Sequence, residues 1–220
     1  MSFNDGLEVL LVPVDRSIKA VIWDCGGVLV RTEDPSGRRK WEQKLGLSPF
    51  DIDRVVLEGK PWVQAQCGEI SEEEYWNAVR LHLDLDEKAI RDLRRDFYMG
   101  DRVNPVVLDL VTRFRPQYKQ AVLSNAAPSL LETLRERFHI AHLFDVIVIS
   151  ASIGVMKPDP RAYRAALDAL NLRAEQTIFI DDLYENIQGA KQLGMHVIHF
   201  DSGNEHLQPR LLALLSRGEL

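Results

Sequence analysis

Four short polar motifs in this 220-residue sequence carry side chains that could do chemistry together. They are Asp24-Cys25-Gly26-Gly27, Ser124-Asn125, Lys157 before a proline, and Asp181-Asp182. Three carboxylates in one place would repel each other unless a hard divalent cation lay among them, and such oxygen ligands suit Mg²⁺. A lysine adds a positive charge, and a serine hydroxyl donates a hydrogen bond. Such a set would stabilise negative charge on a phosphoryl group during its transfer.

Short apolar runs rich in β-branched residues recur along the chain, and four of the five precede these motifs. They cover residues 20–23, 120–123, 146–149, 177–180 and 196–200. Nearly continuous apolar runs of this length are typical of strands buried on both faces, as in a parallel sheet covered by helices. Ligands of such sheets bind at the carboxyl ends of the strands. The motifs are therefore expected to meet in one crevice.

Helical patterns separate the apolar runs. Apolar residues recur at three-to-four spacing over residues 106–114, 130–138, 161–170 and 186–193. Alternation of strands and helices predicts an α/β fold with a Rossmann-like, doubly wound parallel sheet.

Residues 34–101 interrupt this alternation, because they contain helical patterns and no β run. The helical segments cover residues 39–45, 52–58, 71–83 and 87–97. Ser71 and Glu74 have the spacing of a capping box at the start of the third segment. We therefore predict two domains, a core of residues 1–33 and 102–220 and an all-helical insertion of residues 34–101.

In order and spacing, the four motifs resemble those of the haloacid dehalogenase-like hydrolase superfamily, and the resemblance extends from Lys19 to Phe200. The helical insertion matches the cap domain that many members carry after the first motif. The resemblance implies an Mg²⁺-dependent phosphatase acting on a small phosphorylated metabolite, such as a sugar phosphate. It makes Asp24 the nucleophile of an aspartyl-phosphate intermediate. Ser124, Asn125 and Lys157 would then contact the phosphoryl oxygens.

The resemblance also implies a metal site. Asp181 and Asp182 would hold Mg²⁺ directly or through water, together with Asp24 and the backbone carbonyl of Gly26. Gly26 and Gly27 supply the backbone freedom of a tight loop, so that amide groups can approach a phosphate.

Gly26 departs from the family pattern, in which phosphatases usually carry a second aspartate at this position as general acid and base. General acid–base catalysis contributes typically ~10²- to 10⁴-fold. We therefore predict a preference for substrates whose leaving oxygen is a weak base, such as anomeric sugar phosphates and aryl phosphates. The two other outcomes are an acid borrowed from Glu33 or Asp34, and a poor catalyst.

Two alternative functions remain open. A haloacid dehalogenase would attack carbon with the same aspartate and need no metal, but the paired carboxylates Asp181 and Asp182 count against it. A catalytically weak member, kept as a binding or regulatory module, is favoured by Gly26 and opposed by the intact Asp24 and Lys157. A phosphomutase is disfavoured, because mutases need the missing acid and base.

Composition excludes several partners. The 27 Lys and Arg against 33 Asp and Glu give a net charge of −6, which disfavours nucleic acid and anionic membrane surfaces. No apolar stretch approaches the ~18 to 20 residues needed to span a bilayer, and the N-terminus lacks the features of a signal peptide. Two cysteines cannot form a disulfide framework, so we expect a reduced, cytoplasmic protein. The oligomeric state stays open.

Several other positions carry a structural expectation. Residues 7–12 form either an extra edge strand or a partly ordered extension. Residues 38–40 are expected to form a solvated helix face rather than to recognise substrate. Trp62 and Trp76 are expected in the core of the insertion rather than as a ligand platform, Cys25 as a buried thiol, and Asn186 in a structural role.

Overall fold

A five-stranded parallel sheet lies at the centre of the computed structural model, which describes residues 17–201 and 204–216. The chain's strands are β1 (Ala20–Trp23), β2 (Val30–Thr32), β3 (Asp101–Val103), β4 (Lys119–Ser124), β5 (Val146–Ile149), β6 (Thr177–Asp181) and β7 (His196–His199). In the sheet their order is β5-β4-β1-β6-β7, and every neighbouring pair is parallel. The predicted fold class and all five predicted core strands are confirmed. The predicted edge strand at 7–12 lies outside the described residues.

Eleven α-helices connect or flank these strands in the described part of the chain. They are α1 (Ser36–Leu45), α2 (Asp51–Leu57), α3 (Lys60–Gln66), α4 (Glu72–His82), α5 (Glu87–Met99), α6 (Pro105–Phe114), α7 (Leu130–Glu132), α8 (Ser150–Ile153), α9 (Pro160–Leu170), α10 (Tyr184–Gln192) and α11 (Asn204–Leu215). Residues Thr133–Arg137 continue α7 as a π-helical turn, and Ala141–Leu143 and Ala174–Gln176 are 3₁₀ turns. None of the helices in these described ranges has both the length and the apolar character needed to cross a bilayer.

The sheet is buried on both faces, which explains the apolar runs of the sequence. Val21 and Trp23 of β1 lie in one apolar cluster, and Ala20 and Ile22 lie in a second cluster on the opposite face. All four of these side chains are fully buried. Because both faces need apolar residues, such strands lack the alternation of a half-exposed sheet.

Helices α1 to α5, which we call the helical insertion, have a separate apolar cluster that includes Trp41, Tyr75, Trp76 and Phe97. The predicted capping box is confirmed, because Glu74 N–H donates to the Ser71 hydroxyl and Ser71 N–H donates to the Glu74 carboxylate. The domain boundaries at 33/34 and 101/102 stay a prediction.

A two-stranded antiparallel ribbon of β2 and β3 joins the helical insertion to the sheet. Arg38 of α1 connects the insertion to this ribbon through hydrogen bonds and ion pairs. Its guanidinium lies 2.7 Å from Asp53 Oδ1 and 3.2 Å from Asp101 Oδ1, and it donates to the Thr32 hydroxyl at 2.6 Å. The expectation of a solvated face is wrong for Arg38, which is only 8% exposed, because four acceptors, including the Phe97 carbonyl oxygen at 3.0 Å, satisfy its charge and its donors.

Candidate active site

The polar motifs meet at the carboxyl ends of β1, β4 and β6, and Lys157 lies at their centre. Its Nζ donates at 2.7 Å to Asp24 Oδ1, at 2.7 Å to Asp181 Oδ2 and at 2.8 Å to the Leu123 carbonyl oxygen. These bonds use all three donors of an ammonium group. The lysine side chain is 1% exposed, so its position is fixed before any substrate arrives.

The buried charges shift each other's pKa values. Burial raises the pKa of Asp24 to about 7, against the opposing charge of Lys157. Burial would lower the pKa of Lys157, but Asp24 and Asp181 outweigh it and the pKa is raised. Burial and the neighbouring Asp181 raise the pKa of Asp182. The lysine is therefore an ammonium, and the site holds an excess of negative charge that a cation would relieve.

Asp24, Asp181 and Asp182 bring carboxylate oxygens to within 4.8 Å of one another. Hard oxygen donors at this density fit Mg²⁺. Asp24 Oδ1 already accepts hydrogen bonds from Lys157 and from Cys25 N–H, whereas its Oδ2 accepts none from the described residues. This free oxygen is the one available to a metal ion or to an electrophile.

Asp181 has a different environment from the other two carboxylates. Its Oδ1 accepts from Leu183 N–H at 2.8 Å, and Asn186 Nδ2 lies 3.0 and 3.1 Å from its two oxygens. Its Oδ2 also accepts from Lys157. Both oxygens are thus held by protein donors, and Asn186 has the structural role expected of it.

The loop after β1 must approach Asp182 closely, and Gly27 makes this possible. Gly27 has φ = 81°, and a Cβ atom there would lie 2.2 Å from Asp182 Oδ2. A Cβ atom at Gly26 would meet nothing within 4 Å. The two adjacent glycines therefore differ, since Gly27 is required for the position of Asp182 whereas Gly26 has room for a side chain.

This difference gives a testable prediction. Gly27→Ala should displace the Asp182 carboxylate and weaken Mg²⁺ binding by about 10- to 100-fold, the range typical when a ligand loses its support. Calorimetric titration with Mg²⁺ measures the change. Gly26→Ala is the matched control with unchanged affinity, because alanine keeps the backbone carbonyl and its Cβ meets nothing within 4 Å. Equal dissociation constants for the two variants would contradict a role of Asp182 in metal binding.

Ser124 is the last residue of β4, and Asn125 follows it at the floor of the site. Ser124 is 3% exposed. The side chain of Asn125 forms two hydrogen bonds with the main chain of Lys157. Asn125 Nδ2 donates to the Lys157 carbonyl oxygen at 2.9 Å, and the Lys157 N–H donates to Asn125 Oδ1 at 2.8 Å. Gln66 of the helical insertion donates to the Asn125 carbonyl at 2.8 Å. Asn125 thus positions Lys157, and its contact with phosphate stays a prediction.

The two acids named as alternative substitutes for the missing aspartate are engaged elsewhere. Glu33 pairs with Arg31 at 3.2 Å. Asp34 accepts from Ser36 N–H at 2.9 Å, and this hydrogen bond lowers its pKa. Neither acid lines the cavity above the site.

A cavity of about 1240 Å³ lies between the helical insertion and the carboxyl ends of the strands. Gly26, Gly27 and Ser124 line it on the sheet side, and Trp62 and Trp76 line it on the side of the insertion. Both tryptophans also belong to or pack against the apolar cluster of the insertion. The expected place in the core of the insertion is confirmed for Trp76, and Trp62 packs against that core, whereas a role in ligand binding stays a prediction.

The fold and the site define the class of this protein. A model of the haloacid dehalogenase-like hydrolase family matches residues 18–194. The chain belongs to this family of hydrolases.

Particular relatives cover most of the chain. Phosphatase MT3486 of Mycobacterium tuberculosis is 31% identical over 86% of this chain and 90% of its own length. Mouse acyl-CoA dehydrogenase family member 10 is 29% identical over 84% of this chain, which spans only 18% of that protein. A HAD family enzyme of Bacteroides thetaiotaomicron, solved with magnesium and inorganic phosphate, has a TM-score of 0.73 at 19% identity, covering 88% of this chain and 99% of its own.

Sequence reasoning missed the residues of the insertion that face the site. Gln66 and the aromatic residues Tyr75, Phe97 and Tyr98 were not singled out. One signal was available, because Tyr75-Trp76 and Phe97-Tyr98 are adjacent pairs within helices. The side chains of adjacent helical residues point about 100° apart around the helix axis. Two adjacent aromatic side chains therefore cannot both lie within a narrow apolar stripe that faces one core.

Proposed function

We propose that the chain is an Mg²⁺-dependent phosphatase that hydrolyses a phosphate monoester of a small metabolite through phosphorylated Asp24. The observation that carries the proposal is the ammonium of Lys157, placed 2.7 Å from both Asp24 and Asp181 beside a third carboxylate. A fixed positive charge next to a carboxylate with one free oxygen suits transfer of a phosphoryl group to that oxygen.

Similar phosphatases support this assignment. Relatives between 24% and 26% identical include phosphoserine phosphatase of Thermus thermophilus, phosphoglycolate phosphatase of Aliivibrio fischeri and fructose-1-phosphate phosphatase YqaB of Escherichia coli. Each name specifies a different phosphorylated metabolite. The relatives therefore support the reaction and leave the substrate of this chain open.

The proposed reaction has two displacements at phosphorus. Asp24 Oδ2 attacks phosphorus, the bond from phosphorus to the ester oxygen breaks, and the alcohol leaves with a proton from water. Water then attacks the phosphorus of phosphorylated Asp24, releasing inorganic phosphate and restoring the carboxylate. Lys157 and Ser124 stabilise the negative phosphoryl oxygens in both displacements.

The surrounding residues hold this arrangement in place. We propose that Asp24, Asp182 and the Gly26 carbonyl are the ligands of Mg²⁺, while Asp181 orients Lys157 and contacts the ion directly or through water. When bound, Mg²⁺ supplies positive charge that offsets the carboxylates and the phosphoryl oxygens. Asn125 fixes the main chain of Lys157, and the helical insertion acts as a cap that excludes water.

Release of inorganic phosphate from a panel of phosphorylated metabolites and aryl phosphates tests the proposal. We expect chelation with EDTA to lower turnover at least ~10²-fold and added Mg²⁺ to restore it, because the carboxylate cluster then regains its counter-charge. Asp24→Asn is the blank for contaminating phosphatases.

Two results would favour the alternative functions instead. Halide release from 2-haloacids in the presence of EDTA would identify a dehalogenase. Failure of the whole panel, together with no trapped phosphoryl group on Asp24, would identify a catalytically weak binding module.

A further inference from the structure

We propose that the site takes phosphate monoesters whose alcohol part is a large apolar group, such as an aryl ring that carries a long alkyl chain or a fused aromatic ring system, in preference to sugar phosphates. This substrate class rests on the proposed phosphatase function. It follows from the size of the cavity, the side chains that form its walls, and the way its charged residues pair with each other.

The cavity is larger than a small sugar phosphate requires. Its volume of about 1240 Å³ exceeds the roughly 300–1,000 Å³ of ordinary small-ligand sites. Gly26, Gly27 and Ser124 lie at its floor, so a phosphoryl group bound there leaves its alcohol part inside the same space. Because the phosphoryl group must lie at this floor, the alcohol part of the substrate is the part that fills the cavity.

Aromatic rings in mutual contact form the wall on the side of the helical insertion, although Tyr75, Trp76 and Phe97 are nearly fully buried within it. Trp62 lies 5.3 Å from Tyr75, Tyr75 lies 5.2 Å from Trp76, and Trp76 lies 6.2 Å from Tyr98, measured between ring centroids. Phe97 continues the wall at 5.0 Å from Tyr98. Trp62 and Tyr98 are half-buried and present ring surface to the cavity, and burying that surface against an apolar ligand is favourable.

Apolar side chains continue this surface around the cavity. Leu57 is 37% exposed and Met99 is 50% exposed, and both line the cavity on the side of the insertion. Leu130 and Phe138 line it on the side of the sheet and are half-buried. Exposed large apolar residues gathered around one concave space indicate a binding site for an apolar ligand.

Several of the charged residues that line the cavity are paired within the protein. Arg38 pairs with Asp101, Arg94 pairs with Glu72, and Arg137 donates to three backbone carbonyls. Recognition of a polyhydroxylated substrate needs polar groups that are free to bond its hydroxyls. These ion pairs and hydrogen bonds leave fewer polar groups free for the hydroxyls of a sugar than the number of charged residues around the cavity suggests.

A series of aryl phosphates tests this inference independently of leaving-group chemistry. Phenyl, 4-butylphenyl and 4-octylphenyl phosphate have leaving oxygens of nearly equal basicity, but their apolar part grows. Each fully buried methylene contributes up to about fourfold in binding. We expect KM to fall at least ~10-fold from phenyl to 4-octylphenyl phosphate with little change in kcat. The added apolar contact is equally strong in the substrate complex and in the transition state, so it affects KM alone.

Variants of the cavity wall locate the effect. Leu57→Gln combined with Met99→Gln should lower kcat/KM for 4-octylphenyl phosphate several-fold more than for phenyl phosphate. Leu81→Gln is the matched control, because Leu81 is 64% exposed on α4 and does not line the cavity. It should leave both values unchanged, which excludes a general effect of removing surface leucine.

The possible outcomes separate this inference from the proposed function. Hydrolysis with the same KM across the series, or with the control variant as impaired as the cavity variant, overturns the apolar substrate class and leaves the phosphatase intact. If no ester releases phosphate, the proposed function fails. Calorimetric titration of the protein with 4-octylphenyl and phenyl phosphate then decides the inference, which stands if the octyl compound binds at least ~10-fold tighter and falls if the two bind equally.

Discussion

Asp24→Asn lowers phosphate release at least ~10³-fold, because an amide oxygen is too weak a nucleophile to accept the phosphoryl group. The fold is expected to survive the change. Lys157 keeps its hydrogen bonds to Asp181 and to the Leu123 carbonyl, and the new amide oxygen can accept its third. Phosphate release in saturating Mg²⁺ measures the loss, with far-ultraviolet circular dichroism to verify the fold.

The same substitution should stabilise the metal-free protein at alkaline pH. Burial raises the pKa of Asp24 from its ordinary value of 3.8 to about 7, so the folded state holds the proton more tightly than the unfolded state does. The cost of the buried charge is fully present above pH 7 and disappears as the pH falls through 7 towards 4. This cost lowers the free energy of unfolding by at most about 4 kcal/mol.

Thermal unfolding in EDTA at pH 8 and pH 5 tests whether the substitution stabilises the protein at alkaline pH. The variant should unfold at a higher temperature than the wild type at pH 8, and the difference should shrink at pH 5, where Asp24 is protonated and neutral like asparagine. Added Mg²⁺ should stabilise the wild type more than the variant. A variant that turns over substrate at the wild-type rate would exclude Asp24 as the nucleophile.

The sheet was predictable because burial on both faces leaves a strong signal in the sequence. The bounds predicted for β1 and β5 agree with the structure, and those for β4, β6 and β7 differ by one residue at one or both ends. The ribbon of β2 and β3 was missed. Its strands have three residues each, too few for a periodic pattern, and contacts with the distant Arg38 help to hold it in place.

The site was predictable to the extent that chain order and strand ends determine it. Parallel strands must bring Asp24, Ser124 and Asp181 to one edge of the sheet, and they do. The reciprocal bonds between Asn125 and Lys157, and the contact of Gln66 with Asn125, join residues 32 and 59 positions apart. No local pattern encodes such contacts, since they depend on how loops and the helical insertion pack.

Gly26→Asp should increase turnover of alkyl phosphates, because it supplies the proton donor that the site lacks. The wild type is expected to hydrolyse aryl phosphates much faster than alkyl phosphates, since an alkoxide leaving without a proton is a strong base. A new carboxyl group could recover part of the ~10²- to 10⁴-fold that general acid catalysis contributes. Aryl phosphates, whose leaving oxygen needs little assistance, should gain far less.

The structure has room for this substitution. A Cβ atom at Gly26 meets nothing within 4 Å, and Gly26 lines the cavity in which the leaving group must lie. Nearby carboxylates of Asp24 and Asp182 raise the pKa of a further carboxyl group, which keeps it protonated and able to donate nearer to neutral pH. The fast turnover of alkyl phosphates should therefore decline as the pH rises above that pKa.

Gly26→Asn is the control that separates proton donation from shape. Asparagine occupies nearly the same volume as aspartate but cannot act as a general acid, so its kcat for an alkyl phosphate such as octyl phosphate should stay at the wild-type value. Equal gains for the two variants would show that the side chain acts by filling space. Equal wild-type rates on alkyl and aryl phosphates would show that another group already donates the proton, and that Gly26 does not limit the range of substrates.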